Sequence, residues 1–314
     1  MFNRRFLRIK VFHELYAYWQ DEKANRTLHE KSLLKSLEKA YQIYIYMLAL
    51  PGAFRFFIAK ELDIQQSKYF PQESIIKPFV AFHQNKLVLQ LEESKLLKSK
   101  VKHHKLIWDQ TTDTFKQVWQ LFKDNAAFVA YAQKTSPTFA DDKKMLNEFF
   151  QVCIAESDLF NHYIEEKFLN WEDDQVLVTT ALLKSIDQMQ NMKADEGILN
   201  DTVSADEENK FMQQLFVKCI ESDDEFTKLV ADKTSNWEPE RIALVDMLLM
   251  KMALCEILKF PQIPVKVSIN EYLEVAKLYS TPNSHGFING ILDKIQLDLR
   301  KQNKINKTGR GLVE

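Results

Sequence analysis

The chain has 314 residues and is close to neutral, with 42 Lys and Arg against 44 Asp and Glu. Apolar residues make up 46% of it and charged residues 27%, which is ordinary for a soluble globular protein. This balance excludes a disordered chain and a strongly cationic protein that coats nucleic acid through bulk charge. Only 6 Gly and 8 Pro occur, too few for the turns of an all-β fold, so the composition favours helices.

The first twenty residues mix apolar and charged side chains, so we expect no secretory signal peptide. Three cysteines lie far apart on apolar stretches and form no CxxC pair: Cys153, Cys219 and Cys255. That pattern predicts reduced, buried thiols in a cytoplasmic protein.

Helical periodicity continues through most of the chain, and no alternating strand pattern is visible. The predicted helices cover residues 4–20, 28–50, 52–66, 72–98 and 104–134. We expect the second of them to end at Leu50, because Pro51 and Gly52 interrupt the pattern. The same interruption leaves the apolar stretch 41–59 too short to cross a membrane, so it is predicted to form buried helices.

Two segments differ from the rest in composition. Residues 193–208 are acidic and rich in turn-forming residues, which predicts a linker. The last residues, 300–314, are basic and contain two glycines, which predicts a disordered tail.

An internal repeat occurs at an offset of 66 residues, with nine identities in 23 positions. The repeated residues of the first copy are Phe150, Cys153, Ile154, Asp158, Phe160, Lys167, Asn170, Trp171 and Glu172. The pattern predicts a helix, a short turn capped by the Asn, and a buried helix in each copy, with chance similarity of two helical hairpins as the alternative.

No motif for catalysis, nucleotide binding or metal binding stands out. His103 and His104 are adjacent, so they point to different sides of a helix and make a poor pair of metal ligands. They also lie among lysines that repel metal cations. We therefore expect no catalytic residue, no metal and no cofactor.

The N-terminal helix carries positive charge where the helix dipole disfavours it. Arg4, Arg5 and Arg8 are three and four residues apart, which places them on one side of the first two turns. A compensating anion would explain this arrangement, and phosphate is a natural candidate for guanidinium groups. A solvated basic helix end is the alternative interpretation.

Residues 261–298 hold the second dense pattern, in which two helical stripes are separated by Thr281-Pro282. Gly286 and Gly290 lie four residues apart in the second helix, and each destabilises it by roughly 1 kcal/mol relative to Ala. The missing side chains predict close packing against another helix, with backbone approach to a ligand as the alternative.

These two segments together resemble the NusB family of transcription antitermination factors. The likeness is carried by Arg4, Arg5, Arg8, Leu15 and Tyr16, by residues 263–271, and by Ser284, Phe287, Ile288, Asn289, Gly290, Leu292, Asp293 and Lys294. It extends over about residues 1–60 and 209–298.

The resemblance implies an all-α, NusB-like helical bundle in two subdomains without enzymatic activity, enlarged here by a helical insertion. It divides the chain into core helices at 1–60 and 209–299, an insertion at 61–208, and the tail at 300–314. The family binds the boxA element of ribosomal RNA leader transcripts together with the ribosomal protein NusE. It acts with other Nus factors on RNA polymerase.

Carried over residue by residue, the resemblance implies RNA contacts at Arg4, Arg5, Arg8, Asn283, Ser284 and His285. It implies contacts with NusE at Tyr16 and Asp246. The long insertion departs from the family pattern, and its lysines at 95–105 are interpreted as a solvated face rather than an added RNA surface. A helical scaffold in ribosome biogenesis without direct RNA recognition is the alternative function.

Overall fold

A computed structural model describes residues 4–108, 112–191, 203–234 and 242–312. The described residues are 80% helical and contain no strand, which confirms the predicted all-α class. The chain forms two compact units. The terminal unit comprises Phe2–Leu37 and Thr202–Glu314, and the central unit comprises Glu38–Asp201. The domain boundaries predicted above were based on the resemblance to a family. The division into compact units does not test them, so they stay predictions.

The described residues form fifteen α-helices, with a π-helical turn at Val152–Glu156 and a 3-10 turn at Gly309–Leu312. In chain order, the α-helices are α1 (Arg4–Gln20), α2 (Arg26–Gln66), α3 (Glu73–His83), α4 (Lys86–Glu93), α5 (Lys95–His104), α6 (Thr112–Lys123), α7 (Ala126–Ala132), α8 (Phe139–Gln151), α9 (Asp158–Lys167), α10 (Trp171–Gln188), α11 (Val203–Glu221), α12 (Asp223–Ala231), α13 (Leu244–Lys259), α14 (Val265–Tyr279) and α15 (Ser284–Lys301).

The terminal unit is built around α13. Every residue from Asp246 to Ile257 is buried, and the helix contacts α1, α11, α12, α14 and α15. A helix surrounded on all sides is apolar all round, which explains its run of Leu, Met and Ala. The charged Lys251 and Glu256 are exceptions to that run, and each therefore needs a partner inside the protein.

The central unit has an aromatic core. The ring of Phe54 on α2 lies 4.8 Å from that of Phe149 on α8. It also lies 5.2 Å from Phe82 on α3 and 5.1 Å from Phe115 on α6, centroid to centroid. These tilted and edge-on pairs bring four helices together around one side chain.

The prediction that a helix ends at Leu50 is wrong, because α2 continues through Pro51 to Gln66. Leu50, Phe54 and Ile58 are fully buried on both sides of the proline, so packing outweighs the hydrogen bond that Pro51 cannot donate. By length and composition, α2 is the one described helix that could cross a membrane. Because 56% of its most apolar stretch is buried inside the protein, α2 is better explained as the predicted core helix.

The repeat corresponds to two similar helix groups. In the central unit α10 packs on α8 and α9, and in the terminal unit α13 packs on α11 and α12. Cys153 and Cys219, at equivalent positions, are both fully buried. The predicted cap is wrong for the first copy, because the side chain of Asn170 donates to Asp174 and makes no capping bond. Its counterpart in the second copy, Asn236, lies outside the described residues.

The C-terminal segment, expected to be a disordered tail, packs against the loop after α13 as far as Gly311. Thr308 N donates to Pro261 O at 3.0 Å. A Cβ on Gly311 would lie only 1.9 Å from Pro261 O, so only glycine allows this approach. The predicted acidic linker falls partly outside the described residues, and its end from Val203 onwards belongs to α11.

Candidate RNA-binding surface

The three arginines of α1 have very different surroundings. Arg4 is exposed, the side chain of Arg5 is 39% exposed, and that of Arg8 is 2% exposed. The whole stretch Phe6–Phe12 is buried, because α1 packs against α11, α13 and α14. The predicted one-sided cluster of three guanidinium groups is therefore divided between the surface and the core.

Arg8 forms a bidentate ion pair with Glu256 of α13. Its Nε and Nη2 donate to the two carboxylate oxygens at 2.8 and 2.7 Å. Burial lowers the pKa of Arg8, but the hydrogen bonds and charge of Glu256 outweigh it and hold the pKa above its ordinary value. Glu256 also accepts from Ser268 Oγ at 2.7 Å and Tyr272 Oη at 3.2 Å, so its oxygens are fully used. Arg8 thus holds α1 against α13 and α14 and offers no accessible face to RNA.

Arg5 pairs with Glu271 of α14 at the edge of this network. Its Nε and Nη2 donate to the carboxylate at 3.1 and 2.9 Å, and Arg8 Nη1 lies 3.5 Å from the same group. The anions that the start of α1 needs are thus supplied by the protein's own carboxylates. Phosphate is therefore not needed to compensate the charge of Arg5 or Arg8, although the side chain of Arg5 stays partly accessible. The guanidinium of Arg4 lies 5.2 Å from the ring centroid of Phe211.

The loop before α15 is held by a chain of short polar contacts. Ser284 is buried, with its Oγ 2.8 Å from Thr281 Oγ1 and 3.0 Å from Ser280 Oγ. Ser280 Oγ in turn donates to the buried carboxylate of Asp246. Ser284 and Asp246 therefore shape the loop from inside, which leaves neither an accessible face for a partner.

Asn283 and His285, on either side of Ser284, remain accessible. Asn283 is exposed and its side chain makes no capping bond to α15, while His285 is half-buried. Of the residues predicted to contact NusE, Tyr16 is 39% exposed on α1 and stays accessible.

Glu274 of α14 is influenced by charges both from the start of α1 and from the start of α15. Its pKa lies below the usual value, chiefly because Lys277 Nζ donates to it at 2.5 Å and adds a positive charge. The charges of Arg5 and His285 lower the pKa further. Both charges therefore act on the same carboxylate, and α14 packs against both α1 and α15.

Gly286 and Gly290 do not pack closely, contrary to expectation. A Cβ built on either residue meets no atom within 4 Å, and both residues are exposed on α15. The alternative, approach of a ligand to this open face, therefore remains. Sequence reasoning also missed the partners of Arg5 and Arg8. A lone Glu256 within the apolar run of α13 was the signal that could have revealed them.

The part of the chain that the structure describes holds no group of three His, Cys, Asp or Glu residues that could bind a metal ion.

Comparison with known proteins finds the NusB family model matching residues 175–297. The transcription antitermination protein NusB of Salinibacter ruber is 46% identical over 103 residues, 33% of this chain and 64% of that protein. NusB of Chloroherpeton thalassium is 38% identical over 123 residues, 39% of this chain and 58% of that protein. NusB of Desulfatibacillum aliphaticivorans is 40% identical over 98 residues, 31% of this chain and 68% of that protein. No solved structure matches.

Proposed function

The chain belongs to the NusB family, and from that premise we propose that it is an RNA-binding transcription antitermination factor. Its target would be a boxA-like element in ribosomal RNA leader transcripts, bound together with NusE. The matched segments cover 58 to 68% of the three relatives, and α1 with its arginines lies outside the matched family model. The geometry of the terminal unit must therefore support the RNA role independently.

The observation that carries this proposal is that α14 packs against both α1 and α15, so that the charges of Arg5 and His285 both act on Glu274 of α14. Two exposed residues lie close to them in sequence: Arg4 directly before Arg5 on α1, and Asn283 two residues before His285 in the loop before α15. Guanidinium, amide and imidazole groups suit the phosphates and base edges of single-stranded RNA. We place the RNA contacts on Arg4, Arg5, Asn283 and His285, and assign Arg8 and Ser284 to the fold.

The charge on this surface predicts weak RNA binding by the protein alone. Glu271 neutralises much of the positive charge of Arg5. Glu274 adds a negative charge that acts on both Arg5 and His285. A partner that contributes further contacts would raise the affinity, which fits joint binding with NusE through the exposed ring of Tyr16. The assembled complex would then act in the cytoplasm with other Nus factors and RNA polymerase.

A titration of boxA RNA with the full-length protein, alone and with NusE, tests the proposal. The double variant Arg4→Ala/Arg5→Ala should weaken binding and flatten the salt dependence by up to about 1.4, since each phosphate contact on a single strand contributes about 0.7. Arg26 is a matched control, because it is an exposed arginine of the same unit that pairs with Glu30 and Glu221. Equal binding by wild type and double variant would contradict the arginine assignment.

The internal neutralisation of Arg5 and Arg8 also favours a second candidate, a helical scaffold in ribosome biogenesis that does not contact RNA directly. Recovery of ribosomal proteins on the immobilised full-length chain, unchanged by ribonuclease treatment, would support the scaffold. Loss of that recovery after ribonuclease would support RNA binding.

A further inference from the structure

The loop between α2 and α3 holds two aromatic side chains outside the core of the central unit. The rings of Tyr69 and Phe70, here called the aromatic pair, are 91% and 80% exposed and pack edge-on against each other at 4.7 Å, centroid to centroid. Large exposed apolar side chains that lie together indicate a contact surface. Pro71 restricts Phe70 to extended backbone, which limits the conformational freedom that the loop would lose on binding.

A groove opens beside this loop. It lies between α2, α3 and α6 and has a volume of about 500 Å³, which is in the range of ligand pockets. Its floor consists of the nearly buried rings of Phe57, Phe79 and Trp119, of which the last two lie 4.6 Å apart. Gln65 and Ser74, on either side of the loop, also line the groove. The aromatic pair is therefore held next to the groove by a few residues of chain.

The wall of the groove contains a hydrogen-bond donor without a partner. Trp119 is only 4% exposed, and its Nε1 donates to no described residue. The indoles of Trp108 and Trp171, by contrast, both donate to oxygen atoms of the protein. Because the N–H of a buried Trp usually finds a partner, the groove suits an occupant that brings both apolar surface and an acceptor oxygen.

The aromatic pair has both of these properties. Tyr69 offers a ring and a phenol oxygen that forms no hydrogen bond with another described residue. In the single chain the pair stays exposed although the groove lies beside it, so the protein does not fill its own groove. A second copy can insert its pair into this groove while its own groove receives the first pair. Since pair and groove are adjacent, one two-fold axis allows both contacts at once.

Charge and area are compatible with such a dimer. Lys68 precedes the pair and Glu61 lines the groove, and the described ion pairs include neither of them. Insertion would bring these opposite charges together in both halves of the interface. Four rings would remove about 600 to 1,000 Å² from water. With a similar area covered on the groove walls, the total of about 1,200 to 2,000 Å² is the size of a stable interface.

We propose that the central unit forms a two-fold dimer in which Tyr69 and Phe70 of each copy occupy the groove of the other. In this dimer, Tyr69 Oη accepts a hydrogen bond from Nε1 of Trp119 in the other copy. The inference does not depend on the RNA role, because pair and groove both lie in residues 1–174, which the family model does not match.

Analytical ultracentrifugation of the full-length protein over a range of concentrations tests the dimer. Wild type should dimerise, and Tyr69→Ser/Phe70→Ser should raise the Kd of the dimer at least tenfold. The matched control Leu169→Ser/Val176→Ser replaces two exposed apolar side chains elsewhere in the central unit and should leave the Kd unchanged. A monomeric wild type, or equal effects of the two double variants, would overturn the proposal.

Mixing two variants tests the exchange between copies. Ile75 is 42% exposed in the groove, so Ile75→Arg should block the groove without disturbing the core. This variant and Tyr69→Ser/Phe70→Ser should each dimerise poorly, because neither can form a complete contact with itself. A mixture restores one contact, between the intact pair of the first and the intact groove of the second, and should associate more tightly than either variant alone. No gain on mixing would contradict the exchange.

The hydrogen bond across the interface is tested by a double-mutant cycle. Tyr69→Phe and Trp119→Phe each remove one partner and should each raise the dimer Kd by a factor of about two to ten or more. The double variant should dimerise as well as Trp119→Phe alone, because the same bond cannot be lost twice. Additive losses would overturn the assignment of this bond. Circular dichroism melting checks that every variant is folded, including Trp119→Phe, which changes a core ring.

Discussion

Arg8 and Glu256 form a bidentate ion pair in the core of the terminal unit, with side chains 2% and 0% exposed. Breaking a buried pair leaves one charge without a partner, so Arg8→Met should lower the free energy of unfolding by about 3 to 5 kcal/mol. This loss can be measured by urea unfolding, with circular dichroism as the signal. The double variant Arg8→Met/Glu256→Leu should recover most of that loss, since neither charge remains. A loss below about 1 kcal/mol in Arg8→Met, the range of exposed pairs, would contradict the structural role.

The two exposed glycines of α15 should be replaceable with a gain in stability. A Cβ at Gly286 or Gly290 meets nothing within 4 Å, so alanine brings helix propensity without a clash. We expect Gly290→Ala, in the helix interior, to stabilise the protein by about 0.5 to 1 kcal/mol, and Gly286→Ala, in the first turn, by less. Thermal unfolding measures both gains. A loss of stability in either variant would mean that the site is covered in the folded protein.

The same alanine variants report on ligand approach. Weaker binding of boxA RNA or NusE by a variant that is more stable would place a partner against this face of α15. Unchanged binding would place the face outside the complex.

Docking of the C-terminal segment should depend on pH through Lys307. Its Nζ donates to the carbonyl oxygens of Phe260 at 3.0 Å and Glu256 at 3.3 Å. Burial lowers its pKa from 10.5 to about 8, only partly opposed by the charge of Glu256. The unfolded chain therefore binds more protons between about pH 8 and 10.5, so this group makes the folded state more stable as pH rises through that window.

Urea midpoints measured across that window for wild type and Lys307→Met test this sign. If Lys307 contributes, the urea midpoint should rise more steeply with pH in wild type than in the variant. Parallel curves would show that Lys307 does not titrate on unfolding.

Asn85 is expected to be the most sensitive helix cap of the central unit. Its Oδ1 accepts from Leu87 N and Val88 N, both at 3.0 Å, and its Nδ2 donates to Tyr131 Oη at 3.2 Å in the core. Asn85→Ala removes the cap and a buried polar contact together, and should destabilise the unit by about 2 to 4 kcal/mol.

Asn125 is the matched control, since it caps α7 in the same way from a half-buried position. Asn125→Ala should cost only about 1 kcal/mol. Similar losses in the two variants would show that the contacts of Asn85 beyond the cap contribute nothing to stability.

Much of the architecture could be predicted before any coordinates. Scarcity of Gly and Pro and a pervasive 3.6-residue period are local properties, and they indicated an all-α chain correctly. The motif in residues 263–294 indicated the NusB family for the same reason. It lies within two consecutive helices, so the order and spacing of its residues can be read directly from the sequence. Pro51 was misread because a local rule was applied to a residue whose neighbours are fully buried.

The candidate site could be predicted only as a set of residues. Helical spacing correctly groups Arg4, Arg5 and Arg8, but it says nothing about what covers each one. Glu256 and Glu271 lie about 250 residues further along the chain, so only folding brings them to the arginines and turns Arg8 from a surface candidate into a core residue. Exposure and charge pairing depend on such long-range contacts, and for that reason three-dimensional packing was needed to separate the residues that remain accessible from those that hold the fold.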